Sequence, residues 1–272
     1  MSRLTFRGKT AVVTGAGSGI GRALALGLAA RGCHLALSDI RPATLEPLAA
    51  ELAPLGLRIS CHALDVADRA QVAAYPELVM AAHPSVDLLF NNAGVALAGR
   101  FDEVSEQDFE WLFSINFHGL VRMTRAFLPL LKERPDAHLV NIASIFSILT
   151  AAGQSAYCSS KFAVRGFSNV LRQELEGSSV GVSVVCPGGI ATRIAVDARV
   201  GHGVSATDHA ANMKRSSKLL SLPPEKAAET ILAGVERRKA RILVGNDAKA
   251  GALFERLMPI RYYSLMRGLL GD

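Results

Sequence analysis

The sequence predicts an α/β fold, a doubly wound parallel sheet of about seven strands with helices on both of its faces. The first observation behind this prediction is a series of apolar runs of four to seven residues, which are typical of strands buried on both sides. The second is that longer segments with helical patterning separate these runs. Because no Pro/Gly/Ser-rich linker, repeat or low-complexity tract divides the chain, residues 1–272 are expected to form a single domain.

Each expected element is bounded by turn or cap signals. The expected strands span residues 10–14, 35–39, 58–63, 86–90, 138–142, 180–186 and 241–244. The expected helices span residues 22–31, 42–55, 70–82, 105–131, 154–176 and 223–238. Ser105 and Asp108 resemble a capping box, residues 65–68 supply candidate N-cap carboxylates, and Pro223 and Pro224 begin the last helix. Parallel strands end at one edge of a sheet, so the residues that follow them are expected to meet there.

A glycine-rich loop, residues 15–21, lies between the first strand and the first helix. In that context backbone amides and the helix N-terminus bind a pyrophosphate, so the loop predicts a Rossmann-type dinucleotide site; a merely flexible loop is the alternative for the glycines alone. Asp39 ends the second strand, where a carboxylate accepts hydrogen bonds from a ribose 2′-hydroxyl and repels a 2′-phosphate. NAD is therefore expected, with NADP as the alternative because Arg22 and Arg41 are nearby cations.

Ser144, Tyr157 and Lys161 form a candidate acid–base group. Positions i and i+4 share one face of a helix, so the Lys161 ammonium is expected beside the Tyr157 oxygen. There it would favour the phenolate and lower the tyrosine pKa. Ser144 follows the fifth strand and could hold a reacting oxygen by a hydrogen bond. A chance Tyr-x-x-x-Lys match is the alternative interpretation.

Taken together, these motifs resemble those of the short-chain dehydrogenases/reductases. The matching motifs are Thr14-Gly15-x-x-x-Gly19-x-Gly21, Asn91-Asn92-Ala93-Gly94, Asn116, Ser144, Tyr157-x-x-x-Lys161 and Pro187-Gly188. They cover residues 6–192 and, more weakly, residues 222–246. The resemblance implies an oxidoreductase that uses NAD or NADP to interconvert alcohols and ketones.

The resemblance also implies a role for each matching residue. The implied catalytic residues are Asn116, Ser144, Tyr157 and Lys161, with a water on Asn116 completing a proton relay from Lys161; a satisfied core asparagine is the alternative. Asp65 and Val66 are implied to contact the adenine, and Thr192 the nicotinamide carboxamide. The implied cofactor site comprises Gly15, Ser18, Gly19, Ile20, Gly21, Asp39, Asp65, Val66, Asn92, Ala93, Gly94, Tyr157, Lys161, Pro187, Gly188, Ile190 and Thr192. The expected substrate contacts are Ser144, Phe146, Gln154 and Tyr157.

The substrate pocket is expected beneath residues 193–220, an unstructured loop long enough to act as a lid, and along residues 145–154. Its expected apolar wall consists of Phe146, Ile148, Leu149 and Met213. A hydrophobic small-molecule alcohol or ketone is therefore predicted as the substrate. Lys214, Arg215 and Lys218 either form a solvated face or meet a carboxylate, a phosphate or a thioester carrier.

The formal charge of +6 arises in residues 193–272, which hold fourteen Lys/Arg and eight Asp/Glu, whereas residues 1–192 hold sixteen of each. The C-terminal extension, residues 247–272, is expected to pack over the pocket or a neighbouring subunit, with peripheral membrane contact as the alternative. Neither a transmembrane segment, a signal peptide nor a nucleic-acid-binding module is predicted. The cysteines lack metal-ligand spacing, so no metal site is expected, and they are interpreted as buried free thiols of a cytoplasmic protein: Cys33, Cys61, Cys158 and Cys186.

The sequence therefore favours an NAD-dependent oxidoreductase acting on a hydrophobic secondary alcohol or ketone. An NADPH-dependent carbonyl reductase is the alternative within the same class. A non-catalytic dinucleotide-binding protein and a lipid-surface-associated protein are the alternatives from other classes; the presence of all four polar positions argues against the former. The resemblance also implies a homodimer or homotetramer formed through helices 105–131 and 154–176.

Overall fold

A computed structural model of the protein describes residues 3–263 and contains the predicted doubly wound sheet. All seven strands are parallel, in the spatial order β3-β2-β1-β4-β6-β7-β9. They are β1 (Thr10–Thr14), β2 (His34–Asp39), β3 (Ile59–Ala63), β4 (Leu88–Asn91), β6 (Ala137–Ile142), β7 (Val180–Pro187) and β9 (Arg241–Val244). Two short strands, β5 (Leu97–Ala98) and β8 (Arg199–Val200), pair separately. The fold class and all seven predicted strands are confirmed, with bounds that shift by up to two residues.

Nine α-helices in the described part of the chain connect and cover these strands. They are α1 (Gly19–Ala30), α2 (Glu46–Leu52), α3 (Arg69–Ala82), α4 (Glu106–Phe113), α5 (Leu120–Lys132), α6 (Ser155–Glu174), α7 (Ala206–Leu219), α8 (Pro224–Glu236) and α9 (Asn246–Leu257). Two predicted helices are divided. Residues 42–55 form a 3₁₀ turn, α2 and a second 3₁₀ turn, because Pro42, Pro47 and Pro54 each lack a backbone N–H. Residues 105–131 form α4 and α5 with a π-helical turn, Ser114–Gly119, between them.

The sheet separates two apolar layers, and β1 shows how. Ala11 and Val13 pack with α1 and α8 on one face, whereas Val12 packs with α3 and α5 on the other. Side chains alternate across a strand, so a strand covered on both faces must be apolar throughout, as the sequence is. Because all seven strands are parallel, their carboxyl ends lie at one edge of the sheet, and the predicted site residues follow those ends.

The strand order reverses between β1 and β4, which makes this position the topological switch of the sheet. In such sheets the loops after the two central strands diverge toward opposite faces and leave a crevice between them. Here those loops are residues 15–18, after β1, and residues 92–96, after β4. The crevice therefore opens beside the glycine loop.

Two expectations about the lid and the cysteines are corrected. Residues 193–220 are not an unstructured loop, because β8 pairs with β5 and α7 fills residues 206–219. Cys61 is exposed, since β3 is an edge strand; Cys33, Cys158 and Cys186 are buried free thiols as predicted.

The C-terminal segment packs near the expected pocket. Gly251 of α9 lies against Ile145 and Leu149, and the Tyr262 hydroxyl hydrogen-bonds Thr150. The prediction that the extension covers the pocket also concerned residues 264–272, which lie outside the described residues. Within residues 3–263, none of the helices is both long and apolar enough to cross a membrane.

Candidate active site

The glycine loop forms the floor of a cleft at the start of α1. Gly15 has φ +63°, and a Cβ there would stand 2.9 Å from the Ala93 Cα. A Cβ at Gly21 would stand 2.1 Å from the Gly15 carbonyl oxygen, so neither position accepts a larger residue. Ser18 is the N-cap residue of α1 but its side chain caps no backbone amide, which leaves the first amides of the helix available to an anion.

The cleft has a volume of about 370 Å³ and connects two of the predicted motifs. It is lined by Ser18, Gly19, Arg22, Ala23, Ala191, Thr192, Arg193, Pro224 and Glu225. Ser18 and Thr192, both predicted cofactor contacts, therefore face one space. Backbone amides, a helix N-terminus and two guanidinium groups suit a diphosphate, so the residues present fit a dinucleotide.

Asp39 is held beside the glycine loop. Its Oδ2 accepts a hydrogen bond from the Gly17 amide at 3.0 Å, and its Oδ1 accepts one from the Arg41 amide at 3.0 Å. The residue is only 7% exposed, so the carboxylate has a fixed orientation beside the glycine loop. Asp39 thus lies beside the glycine loop, and its contact with a ribose stays a prediction.

The segment after β4 is tied to the glycine loop. The Thr14 hydroxyl accepts hydrogen bonds from the amides of Asn92 and Ala93, both at 3.0 Å. The Asn92 side chain donates to the carbonyl oxygens of Thr14 and Gly15 at 2.9 and 3.1 Å. These bonds fix residues 92–94 against the cleft, and a Cβ at Gly94 would stand 3.4 Å from the Lys161 Nζ. The contacts therefore run from the glycine loop to Lys161.

Asp65 and Val66 lie at the turn before α3. The Asp65 Oδ1 accepts a hydrogen bond from the Ala67 amide at 2.8 Å, while the N-cap of α3 is Asp68, which accepts from the amides of Ala70 and Gln71. Val66 is buried against Gly119 of the π-helical turn. The pair thus packs at the edge of the sheet, and its contact with adenine stays a prediction.

Ser144, Tyr157 and Lys161 are brought together in a buried group. Ser144 follows β6, and its hydroxyl accepts a hydrogen bond from the Phe146 amide at 3.1 Å. Tyr157 and Lys161 lie on one face of α6, with the Lys161 Nζ 5.6 Å from the centroid of the Tyr157 ring. The Lys161 ammonium also donates to the Ile142 carbonyl oxygen at 3.2 Å. All three residues are less than 10% exposed.

Burial shifts the pKa of Tyr157 upward, in the direction opposite to the predicted shift. Removal from water raises the pKa of Tyr157 to about 12, and interaction with the Ser144 hydroxyl opposes this rise. The same removal lowers the pKa of Lys161 to about 8. The expected lowering of the Tyr157 pKa is therefore not seen in the chain without its cofactor, because desolvation is the largest effect on the phenol there.

Asn116 lies on the π-helical turn between α4 and α5. Its side-chain oxygen accepts from the Val95 amide at 2.8 Å, and its amide donates to the Val95 carbonyl oxygen at 3.0 Å and to Ser160 at 3.3 Å. The side chain is thus satisfied within the protein, as the alternative interpretation expected. The relay stays a prediction.

The loop after β7 carries the remaining predicted cofactor residues. Pro187 ends the strand and Gly188 follows it. Ile190 is buried in the core, and the Thr192 side chain lies 2.9 Å from where a Cβ at Gly19 would stand. Asp247 of α9, which sequence reasoning missed, accepts a hydrogen bond from the Gly189 amide at 2.6 Å. Nothing local in the sequence marks this contact, because the two residues are 58 positions apart.

The expected substrate contacts are only partly assembled into an apolar wall. Phe146 packs edge-to-face on Tyr157, with ring centroids 6.2 Å apart, and Gln154 forms a backbone bridge with Gly99. Ile148 belongs to a different apolar cluster and Leu149 lies against Gly251, so neither belongs to the cluster with Tyr157. Sequence reasoning missed several apolar residues that cluster with Tyr157: Val95, Ala96, Leu97, Val104, Phe109, Trp111, Leu112, Phe113, Ala156 and Ile194.

Comparisons with known proteins all indicate the same family. The model of the short chain dehydrogenase family matches residues 9–202. SadH of Mycobacterium tuberculosis, named as an oxidoreductase, is 42% identical over 264 residues, which are 96% of this chain and 95% of that protein.

Two solved structures share the fold at sequence identities of 30% and 28%. A short chain dehydrogenase/reductase from Burkholderia phymatum, solved in complex with NAD, has a TM-score of 0.86 at 30% identity and covers 93% of this chain and 95% of its own. An alcohol dehydrogenase from Thermococcus sibiricus, complexed with 5-hydroxy-NADP, has a TM-score of 0.74 at 28% identity, over 87% and 94% of the two chains. With the family model matching most of its length, the chain belongs to the short-chain dehydrogenase family of oxidoreductases.

Proposed function

We propose that the protein interconverts a hydrophobic secondary alcohol and its ketone, with NAD as the hydride carrier. The observation that carries the proposal is the continuous set of contacts from the glycine loop through Asn92 and Gly94 to Lys161. It supports a single site in which a nicotinamide at one end of the cleft lies beside Tyr157. Two of the structural neighbours were solved with NAD and a modified NADP, which supports use of a nicotinamide dinucleotide.

Each proposed catalytic residue has a separate role in the reaction. Bound NAD would supply the hydride chemistry. Tyr157 donates its proton to the carbonyl oxygen in reduction and accepts the hydroxyl proton in oxidation. Since burial raises the pKa of Tyr157 to about 12, oxidation requires a nearby positive charge to stabilise the phenolate, and protonated Lys161 supplies it. Ser144 holds the reacting oxygen while its charge changes.

The choice of NAD rests on Asp39. Its carboxylate is fixed by two backbone amides beside the glycine loop. A carboxylate there accepts hydrogen bonds from a 2′-hydroxyl and repels a 2′-phosphate. NADPH-dependent carbonyl reduction is accordingly the less favoured alternative.

The hydrophobic substrate class rests on the apolar cluster around Tyr157 and on the orientation of α7. Lys214, Arg215 and Lys218 are exposed, whereas His209 and Met213 are half-buried, so the basic residues face away from the body of the protein. This arrangement supports the solvated-face interpretation of the basic residues over an anionic-carrier site.

Replacement of Tyr157 by Phe tests the proposal directly. We expect turnover with a panel of hydrophobic secondary alcohols to fall at least about 100-fold, since general acid–base catalysis contributes about 10²–10⁴-fold. NADH binding, followed by its fluorescence, should change less than about twofold, because the cleft is formed by other residues. Tyr263→Phe, which removes the same hydroxyl from an exposed tyrosine, is the matched control. A Tyr157→Phe enzyme that kept more than a tenth of the wild-type rate would contradict the proposal.

We also propose that the enzyme is a homodimer or homotetramer that forms through α5 and α6. A groove of about 380 Å³ between these helices is lined by Val121, Thr124, Arg125, Leu128, Pro129, Lys132, Phe167 and Leu171. An apolar groove with a basic rim on two long helices is the kind of surface that a second copy can cover.

A cytoplasmic location is proposed from the cysteines. All four are free thiols, and Cys61 is exposed on the edge strand β3. Free thiols persist in a reducing compartment. Cell fractionation tests this location, and recovery outside the cytoplasm would contradict it.

A further inference from the structure

Two cations near the glycine loop and Asp39, Arg22 and Arg41, could attract a 2′-phosphate, and each is already paired. Arg22 forms an ion pair with Glu51 of α2. The Arg41 guanidinium lies 4.0 Å from the Asp197 carboxylate. Asp197 belongs to the segment that follows Thr192, so it reaches Arg41 from the opposite side of the cleft.

Asp197 is held in position by its own segment. Its Oδ1 accepts a hydrogen bond from the Arg193 Nη2 at 2.7 Å, and its Oδ2 one from the Arg193 Nε at 3.3 Å. Its backbone amide also donates to the Arg193 carbonyl oxygen at 2.8 Å. Arg193 chiefly, with a contribution from Arg41, keeps the pKa of Asp197 below its usual range, so the carboxylate is charged at neutral pH. A bidentate pair of this kind limits how far the carboxylate can turn away.

Arg41 is the cation best placed to meet a 2′-phosphate. Its amide donates to the Asp39 carboxylate, so its side chain begins beside the group that would bind the ribose hydroxyls. A guanidinium binds phosphate strongly when its charge is free, and less strongly when a carboxylate already compensates it. Arg41 would thus favour NADP if Asp197 were absent.

We infer that Asp197 is a specificity-determining residue that selects NAD over NADP by compensating the charge of Arg41. The inference rests on the proposed function, since it requires a dinucleotide in the glycine cleft. It assigns the choice of cofactor to two acids, Asp39 on β2 and Asp197 on the segment across the cleft. Asp39 acts on the ribose directly, whereas Asp197 acts through Arg41.

The test is a double-mutant cycle on cofactor binding. Dissociation constants of NADH and NADPH are measured by their fluorescence for the wild type and for Asp197→Asn, Arg41→Gln and the double variant. In Asp197→Asn the ratio of the NADPH constant to the NADH constant should fall about fivefold, the scale of one charge interaction near a protein surface. In the Arg41→Gln background the same substitution should leave that ratio unchanged, because the cation that it acts through is gone.

Glu174→Gln provides the matched control, since it removes one negative charge at the far end of α6, about 30 Å along the helix from its first residue. Equal weakening of both cofactors in Asp197→Asn would overturn the inference, since Asp197 would then only hold its segment closed. The inference would also fail if the ratio fell equally in Glu174→Gln. Failure of the wild type to bind either cofactor would instead overturn the proposed function.

Discussion

Lys161 is a buried side chain of the proposed site whose ionisation is strongly altered by the fold. Its pKa falls to about 8 because the ammonium is buried, so folding releases protons from Lys161 at pH values between about 8 and its ordinary value of 10.5. In that window the unfolded chain binds more protons than the folded chain, and the contribution of Lys161 to stability therefore rises with pH. Below pH 8 the buried charge destabilises the fold by about 3 kcal/mol, at 1.36 kcal/mol per pKa unit.

Lys161→Met tests this expectation, because methionine fills a similar space without a charge. We expect the variant to be more stable than the wild type at pH 7, and this advantage to shrink by pH 9.5, as measured by urea unfolding at both values. Other titrating groups are common to both proteins and cancel in the difference. An advantage that stayed constant between the two pH values would show that Lys161 is not titrating as described.

The sequence predicts which residues lie at the site where they belong to one local motif. The glycine loop, Asp39 and the Tyr157/Lys161 pair follow from spacing along one strand or one helix, and the structure places them accordingly. The direction of the Tyr157 pKa was not predictable, because desolvation depends on which distant segments cover the hydroxyl. Asp197 and Asp247 were missed for the same reason, since each acts on a residue far away in sequence.

At the scale of elements, the seven strands were predictable because each is buried on both faces and therefore apolar throughout. The π-helical turn within residues 105–131 and the helix α7 were not predicted as such. Helical periodicity cannot distinguish one extra residue in a turn, and α7 has no buried residue to give it an apolar stripe. Elements that pack weakly on the core leave the weakest pattern in the sequence.

Helix α9 and residues 258–263 pack against residues 145–150, the segment that carries predicted substrate contacts. Tyr262 donates or accepts a hydrogen bond at 2.8 Å with the Thr150 hydroxyl and accepts one from the Thr150 amide at 3.1 Å. These bonds tie the C-terminal segment to residues 145–150, which lead from Ser144 toward α6. The contact therefore fixes the loop that carries Phe146 against Tyr157.

Tyr262→Phe removes the hydroxyl that forms both hydrogen bonds with Thr150. We expect a loss of about 1 kcal/mol in the free energy of unfolding, the usual contribution of a buried hydrogen bond, and a higher KM for the alcohol with unchanged NADH binding. Tyr263→Phe is the neighbouring control, because that tyrosine is exposed and should change neither quantity. Equal effects of the two substitutions, or a change in NADH binding alone, would contradict a positioning role for Tyr262.

At the scale of the whole molecule, the proposed active site and the proposed subunit contact lie on different surfaces. The carboxyl edge holds the cleft and the acid–base group, whereas α5 and α6 present an apolar groove on one flank. The same helix α6 carries Tyr157 and Lys161 at its start and Phe167 and Leu171 further along. Assembly through this flank would therefore hold α6, with the proposed catalytic residues, between the core and a second subunit.

Val170→Glu tests that assembly. Val170 is 53% exposed on α6, between Phe167 and Leu171 in the sequence, so a glutamate there should not disturb folding but would bury an unpaired charge in an interface. We expect the subunit dissociation constant, measured by sedimentation equilibrium, to rise at least about tenfold, since such a charge costs more than the 1.4 kcal/mol of one decade. Leu78→Glu on α3 is the control, because Leu78 is 55% exposed on a different helix. A wild-type protein that sediments as a monomer at all concentrations, or equal dissociation of both variants, would rule out the α5/α6 flank as the subunit contact.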